Sequence, residues 1–150
     1  MSLPEIEIAD ILSADSGLVS LMASMRQSKL DYIPIFTETP DDTFIKSSSA
    51  PWIRITPIPG DDELSADDVR MIEYPRVEVD YWVRDEDMES IETLQQLIYD
   101  ALLANGWSRY YVYRYADPDL AGCTMVVNKF EGYKMKGCKL KPITDVVPEM

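Results

Sequence analysis

The sequence predicts an α+β domain: a mainly antiparallel sheet of about four strands, with one long helix and short N-terminal helices packed on it. Three observations carry this. The run Pro75–Arg84 alternates apolar and polar residues, the period of a strand with one face on a core. Directly after it, apolar residues recur at helical spacing up to an Asn-Gly stop. Two further runs rich in aromatic and β-branched residues then flank a Pro- and Gly-containing turn.

Taken in order, Ile8, Ile11, Leu12, Val19, Leu21, Met22 and Met25 recur near helical spacing, but Asp15-Ser16-Gly17 interrupts them. Two short helices are expected, with Asp15 as N-cap of the second. Tyr32–Phe36 reads as extended, and the segment to Ala50 as loop, broken by Pro34, Pro40 and three serines. Pro51–Pro57 reads as a strand with Ile53 and Ile55 on one face, its pairing confined by prolines that cannot donate to a ladder. Pro59–Asp68 reads as a strongly acidic loop. In the next strand Val77, Val79, Tyr81 and Val83 face a core; Arg76, Glu78, Asp80, Trp82 and Arg84 make a polar face with one large aromatic.

Asp85-Glu86-Asp87 opens the long helix, its charges favourable at the positive end of the macrodipole. Met88, Ile91, Leu94, Ile98, Ala101 and Leu102 form its stripe, and Asn105-Gly106 closes it. Trp107–Tyr115 reads as a strand with one set of aromatics in the core and the other on the surface or at an interface. Asp117–Gly122 is a turn, and Cys123–Met135 returns, with Gly132 marking a bulge or its end. Strands adjacent in sequence are expected to pair. Residues 1–136 are read as one domain and residues 137–150 as an irregular, proline-marked arm.

The charge is uneven. Up to Asn105 there are 22 acidic and 7 basic residues; from Gly106 there are 5 acidic and 7 basic, for a total of −13. Such a surface repels duplex nucleic acid and anionic lipid, while the basic C-terminal part offers an opposite face that a neighbouring copy could dock on. A solvated surface of no consequence is the plainer alternative. No run of eighteen apolar residues exists to span a bilayer, and the acidic N-terminus is unlike a signal peptide. Cys123 and Cys138 read as free thiols in a reducing compartment.

Chemistry is hard to place. The chain has no histidine, so it lacks the usual base near neutral pH, the commonest metal ligand and every Ser-His or Cys-His pair. No glycine-rich phosphate cradle occurs. Asp85, Asp87 and Glu89 alternate like the start of a calcium loop but lack its glycine, and helix capping explains them better. Asp61, Asp62, Glu63, Asp67 and Asp68 could bind calcium, yet a solvated loop needs no special spacing. Tyr110, Tyr111, Tyr113 and Tyr115 beside Arg109 and Arg114 invite a base-stacking reading, which the overall charge opposes. The expectation is a non-enzyme with no cofactor and no metal.

The segment Glu73–Val83, the helix after it, Asn105-Gly106-Trp107, Asp117-Pro118-Asp119 and Asn128–Gly132 together resemble the tail-terminator (tail-completion) proteins of long-tailed bacteriophages of Gram-positive bacteria, of the DUF806-like type. The resemblance spans about Ile8 to Tyr133 in element order, with its sharper matches between Tyr74 and Gly132. It implies a homo-oligomeric ring, typically a hexamer, at the head-proximal end of a virion tail, assembled in the host cytoplasm. The ring would end tube polymerisation, dock on the head–tail connector and let DNA pass through its lumen without specific binding. Asp61, Asp62, Glu63, Asp67, Asp68, Trp82, Arg109, Arg114, Lys134 and Lys136 are the expected interface or lumen residues. The alternatives are another neck component, such as a stopper, and a small acidic ligand- or calcium-binding module.

Overall fold

The computed structural model describes residues 3–66, 69–132 and 134–135, of which 60–66, 69–73 and 134–135 are described by backbone alone. Three α-helices, α1 (Pro4–Ser13), α2 (Ser16–Met25) and α3 (Ile91–Leu103), cover one face of a sheet. Its strands are β1 (Ile35–Phe36), β2 (Trp52–Ala66), β3 (Val69–Arg84), β4 (Ser108–Ala116), β5 (Cys123–Glu131) and β6 (Lys134–Met135). The order across the sheet is β1-β2-β3-β5-β4, with β6 beside the far end of β3. All pairs are antiparallel except β1 with β2.

The alternating run builds the centre. Val77, Val79, Tyr81 and Val83 are buried under the helices with Ile53, Ile55, Val126 and Phe130. The N-terminal helices bring Ile8, Leu12, Met22 and Met25, plus Leu18, to the same core. Asp15 caps α2 as expected, its carboxylate accepting from the Leu18 amide at 3.0 Å. The long helix begins differently from its reading: Asp85–Ser90 is a 3-10 turn, and α3 proper starts at Ile91. The acidic residues there are tied to side chains. Asp87 and Glu86 hold Arg84, and Asp85 accepts from the Thr124 hydroxyl at 2.8 Å. At the other end Gly106 takes φ 89°, and the Trp107 amide returns to the Leu102 carbonyl, the left-handed closure that glycine permits.

Four expectations change. Pro59–Ala66 is not loop: β2 continues through it and pairs with β3 as a long hairpin arm, with register shifts between Ile58 and Asp62 and between Leu64 and Ser65. Asp and Gly are depleted in strands, but cross-strand pairing overrides that bias. Asp67 and Asp68 lie outside the described residues. Secondly, β4 does not pair with β3; β5 enters between them, so hairpin partners are neighbours but β3 and β4 are not. Thirdly, the supposed polar face of β3 is closed at one end. Trp82 stacks on Trp52 at 4.9 Å, and Phe44, Ala50, Cys123 and Met125 complete a second small core under the segment before β2. Fourthly, β4 puts no aromatic into the core. Trp107, just before it, is fully buried, whereas β4 itself is exposed on both faces because it lies outboard of β5.

Candidate functional site

Strand β4 is the site that stands out. Tyr110, Tyr111, Val112, Tyr113 and Tyr115 are 37–56% exposed and contiguous along one strand. At roughly 200 Å² per aromatic side chain, the tyrosines leave about 400 Å² of ring uncovered, as large as the biggest apolar patch on a typical monomer. Cross-strand register puts Tyr111, Tyr113 and Tyr115 on the face away from the helices, opposite Lys129, Val127 and Met125 of β5. Tyr113 and Tyr115 stack at 5.7 Å, and the Lys129 ammonium sits 4.7 Å from the Tyr111 ring centre. On the helix side of β4, Arg109 and Arg114 line a groove whose opposite wall is Glu89, Glu92, Gln95 and Gln96. The Arg109 guanidinium lies 4.6 Å over the Tyr99 ring.

The backbone of β4 is as open as its side chains. The Asp117 amide donates to the Cys123 carbonyl. Alternation along an antiparallel ladder therefore turns the amides of Tyr111, Tyr113 and Tyr115 onto β5. Those of Val112, Arg114 and Ala116 point out of the sheet, where no strand pairs with them among the described residues.

A second polar feature lies inward of it. Asp80 is fully buried and paired with Arg54 at 2.8 Å, with Arg54 also lying 5.0 Å over the Trp82 ring. Burial chiefly pushes the Asp80 carboxyl up to about 7; a hydrogen bond with Glu78 adds to the rise and Arg54 opposes it. Beyond that carboxyl–carboxyl contact, the Asp80 Oδ1 meets no hydrogen-bond donor among the described residues. Cys123, also buried, is a free thiol raised to about 11, mainly by burial. Among the described residues no three His, Cys, Asp or Glu side chains converge to hold a metal ion. Nor is any single described helix long and apolar enough to cross a membrane.

The sequence-level candidates scatter. Arg109 and Arg114 come together on β4; Asp61, Asp62 and Glu63 stand on the β2 arm, and Lys134 on β6. Trp82 is 6% exposed, covered within its own chain, its indole N–H donating to Asp117 at 2.8 Å. Asp67, Asp68 and Lys136, like the 137–150 arm and Cys138, lie outside the described residues. What sequence reading missed is the exposure of Tyr110, Tyr111 and Tyr113 together. The sequence carries no signal for it, since an aromatic run without clean alternation, as in Arg109–Tyr115, fits a strand buried on both faces equally well.

No protein-family model and no curated protein matches the chain. Its fold is similar to that of a chain in a solved structure of the virion of a native gene transfer agent particle. The TM-score is 0.61 at 10% identity, over 87% of this chain and 92% of that one.

Proposed function

We propose that this chain is a structural component of a phage-like virion, and within it the ring-forming tail terminator. The observation that carries the reading is β4: an aromatic strand that, among the described residues, is open on both faces and along its edge, as a strand facing a neighbour in an assembly is. Likeness in fold to a chain of a gene transfer agent virion supports the same setting. In this role the chain performs no catalysis. A homo-oligomeric ring, a hexamer in the family it resembles, ends the tail tube and meets the head–tail connector, with tail-tube and connector proteins as its partners.

The charge fits a lumen through which DNA slides. A net charge of −13 denies phosphates the lysine contacts that release counterions, so duplex passes without adhering. The acidic stretch Asp61–Asp68 then faces the lumen or an adjacent basic surface, and residues 137–150 form an arm to a neighbour. Charge reversal in Asp61–Asp68 is expected to impair head–tail joining, and truncation at Gly137 to weaken the ring; normal assembly by either variant removes the role assigned to that segment.

The deciding experiment combines light scattering with negative-stain imaging, alone and with the tail-tube protein of the same particle. Rings that cap tubes and fix their length are expected. A chain that neither forms rings nor alters tube length overturns the reading.

A further inference from the structure

We infer that β4 is a strand-addition edge whose partner is the β2 arm of a second copy of this chain, so that one sheet continues into the next head to tail. The inference rests on the ring-forming reading and deepens it by naming both sides of the contact.

Three observations converge. The outward amides of Val112, Arg114 and Ala116, with the carbonyls beside them, form a row that no described strand pairs with, in a strand without proline or glycine. Natural edges are usually blunted by such residues or by charge; the only blunting here is the bulge at Tyr110 and the arginines Arg109 and Arg114. Those arginines also choose the partner. Two β4 edges pairing with each other would bring arginine-bearing strands together, which is unfavourable; an acidic strand is complementary.

The same sheet offers that acidic strand at its opposite edge. The Ile53 amide donates outward to Pro34, so Pro57, two pairs further along, stands at an outward position with no N–H to give. That part of β2 is closed to pairing. Beyond the register shift, Asp62–Ala66 pairs with β3 on one side and with no strand on the other among the described residues. The sequence there reads Asp61-Asp62-Glu63. Two different edges of one sheet, one basic and aromatic and one acidic, make a heterologous contact, which closes into a ring when the rotation per copy divides a full turn. The uncovered tyrosine surface of about 400 Å² is half of the roughly 800 Å² that each partner gives a standard interface; the β4 edge and its arginines supply the rest on that side, and the arm faces them from the second copy.

The test uses the full chain in sedimentation velocity across a concentration series. Val112→Pro removes one outward amide and leaves the ladder to β5 intact; Arg114→Glu reverses an exposed charge. Each is expected to weaken self-association at least tenfold, with unchanged far-UV circular dichroism. Adding Asp62→Lys and Glu63→Lys to the Arg114→Glu chain is expected to bring association back to within a few-fold of the parent. Should Val112→Pro fail to fold, the charge reversal and its rescue carry the test. Parent-like association of the Arg114→Glu chain overturns the inference while leaving a ring possible through other surfaces. A parent chain that stays monomeric at every concentration also overturns it. The tail-terminator reading is decided separately, by tube length.

Discussion

Arg84 ends the central strand and joins three elements at once. Its guanidinium donates to Asp87 at 2.9 Å, to Glu86 at 3.0 Å and to the Met25 carbonyl at 2.7 Å. Met25 closes α2, so its carbonyl is one of those a helix end leaves without an internal partner. Arg84→Ala removes all three contacts and leaves that carbonyl unpaired in a buried place. Glu86 is 68% exposed and its share is close to nothing. The bonds to Asp87 and Met25 are charge-assisted, each contributing about 1.5–3 kcal/mol. The expected loss is therefore roughly 3–6 kcal/mol, overlapping the range of about 3–5 kcal/mol for breaking a buried pair from one side. Urea unfolding followed by tryptophan fluorescence measures it directly. Arg84→Lys should recover less than half, since an ammonium cannot span three acceptors in a fixed fork. A loss under about 1 kcal/mol for Arg84→Ala would refute the claim that this residue clamps α2 and the 3-10 turn before α3 to the sheet.

Three further outcomes are expected. The Asp80 carboxyl, at about 7 in the folded chain and near 3.8 unfolded, retains a proton that the unfolded chain has already released between those values. Stability therefore falls as pH rises across that window and levels above it, and Asp80→Asn should flatten the dependence; a slope unchanged in that variant refutes the assignment. Trp107→Ala empties a fully buried indole from the core and should cost about 3–5 kcal/mol by thermal or chemical unfolding. Gly106→Ala, at φ 89°, should cost about 1 kcal/mol in the same assay, because the left-handed closure of α3 disfavours a Cβ.

The core was legible wherever periodicity was unmixed. Val77, Val79, Tyr81 and Val83, and on the helix Ile91, Leu94, Ile98 and Leu102, fall where their spacing puts them, because burial is what selects that spacing. Strand order was not legible: nothing in Cys123–Glu131 says that it inserts between β3 and β4, since pairing across a sheet depends on contacts far apart in sequence. The hairpin arm was hidden by its composition, as Gly60-Asp61-Asp62-Glu63 reads as loop until its partner strand is known. Trp82 misled in the opposite direction. Its polar neighbours on β3 suggested a surface aromatic, and only the fold brings Trp52 and Phe44 over that face. At the candidate site, residue types were visible but their exposure was not, because exposure of β4 follows from its place outboard of β5.

That placement separates two kinds of constraint on the chain. Since β5 rather than β4 seals the interior, the outermost strand is one ladder removed from the tightly packed residues. Single exchanges at Tyr110, Tyr113 or Arg114 should then shift stability by only about 0.5 kcal/mol, as for surface positions in general. Recognition can drift there, one side chain at a time, to follow a changing neighbour, while the equivalent drift at Val126 or Phe130 would unfold the molecule that does the recognising.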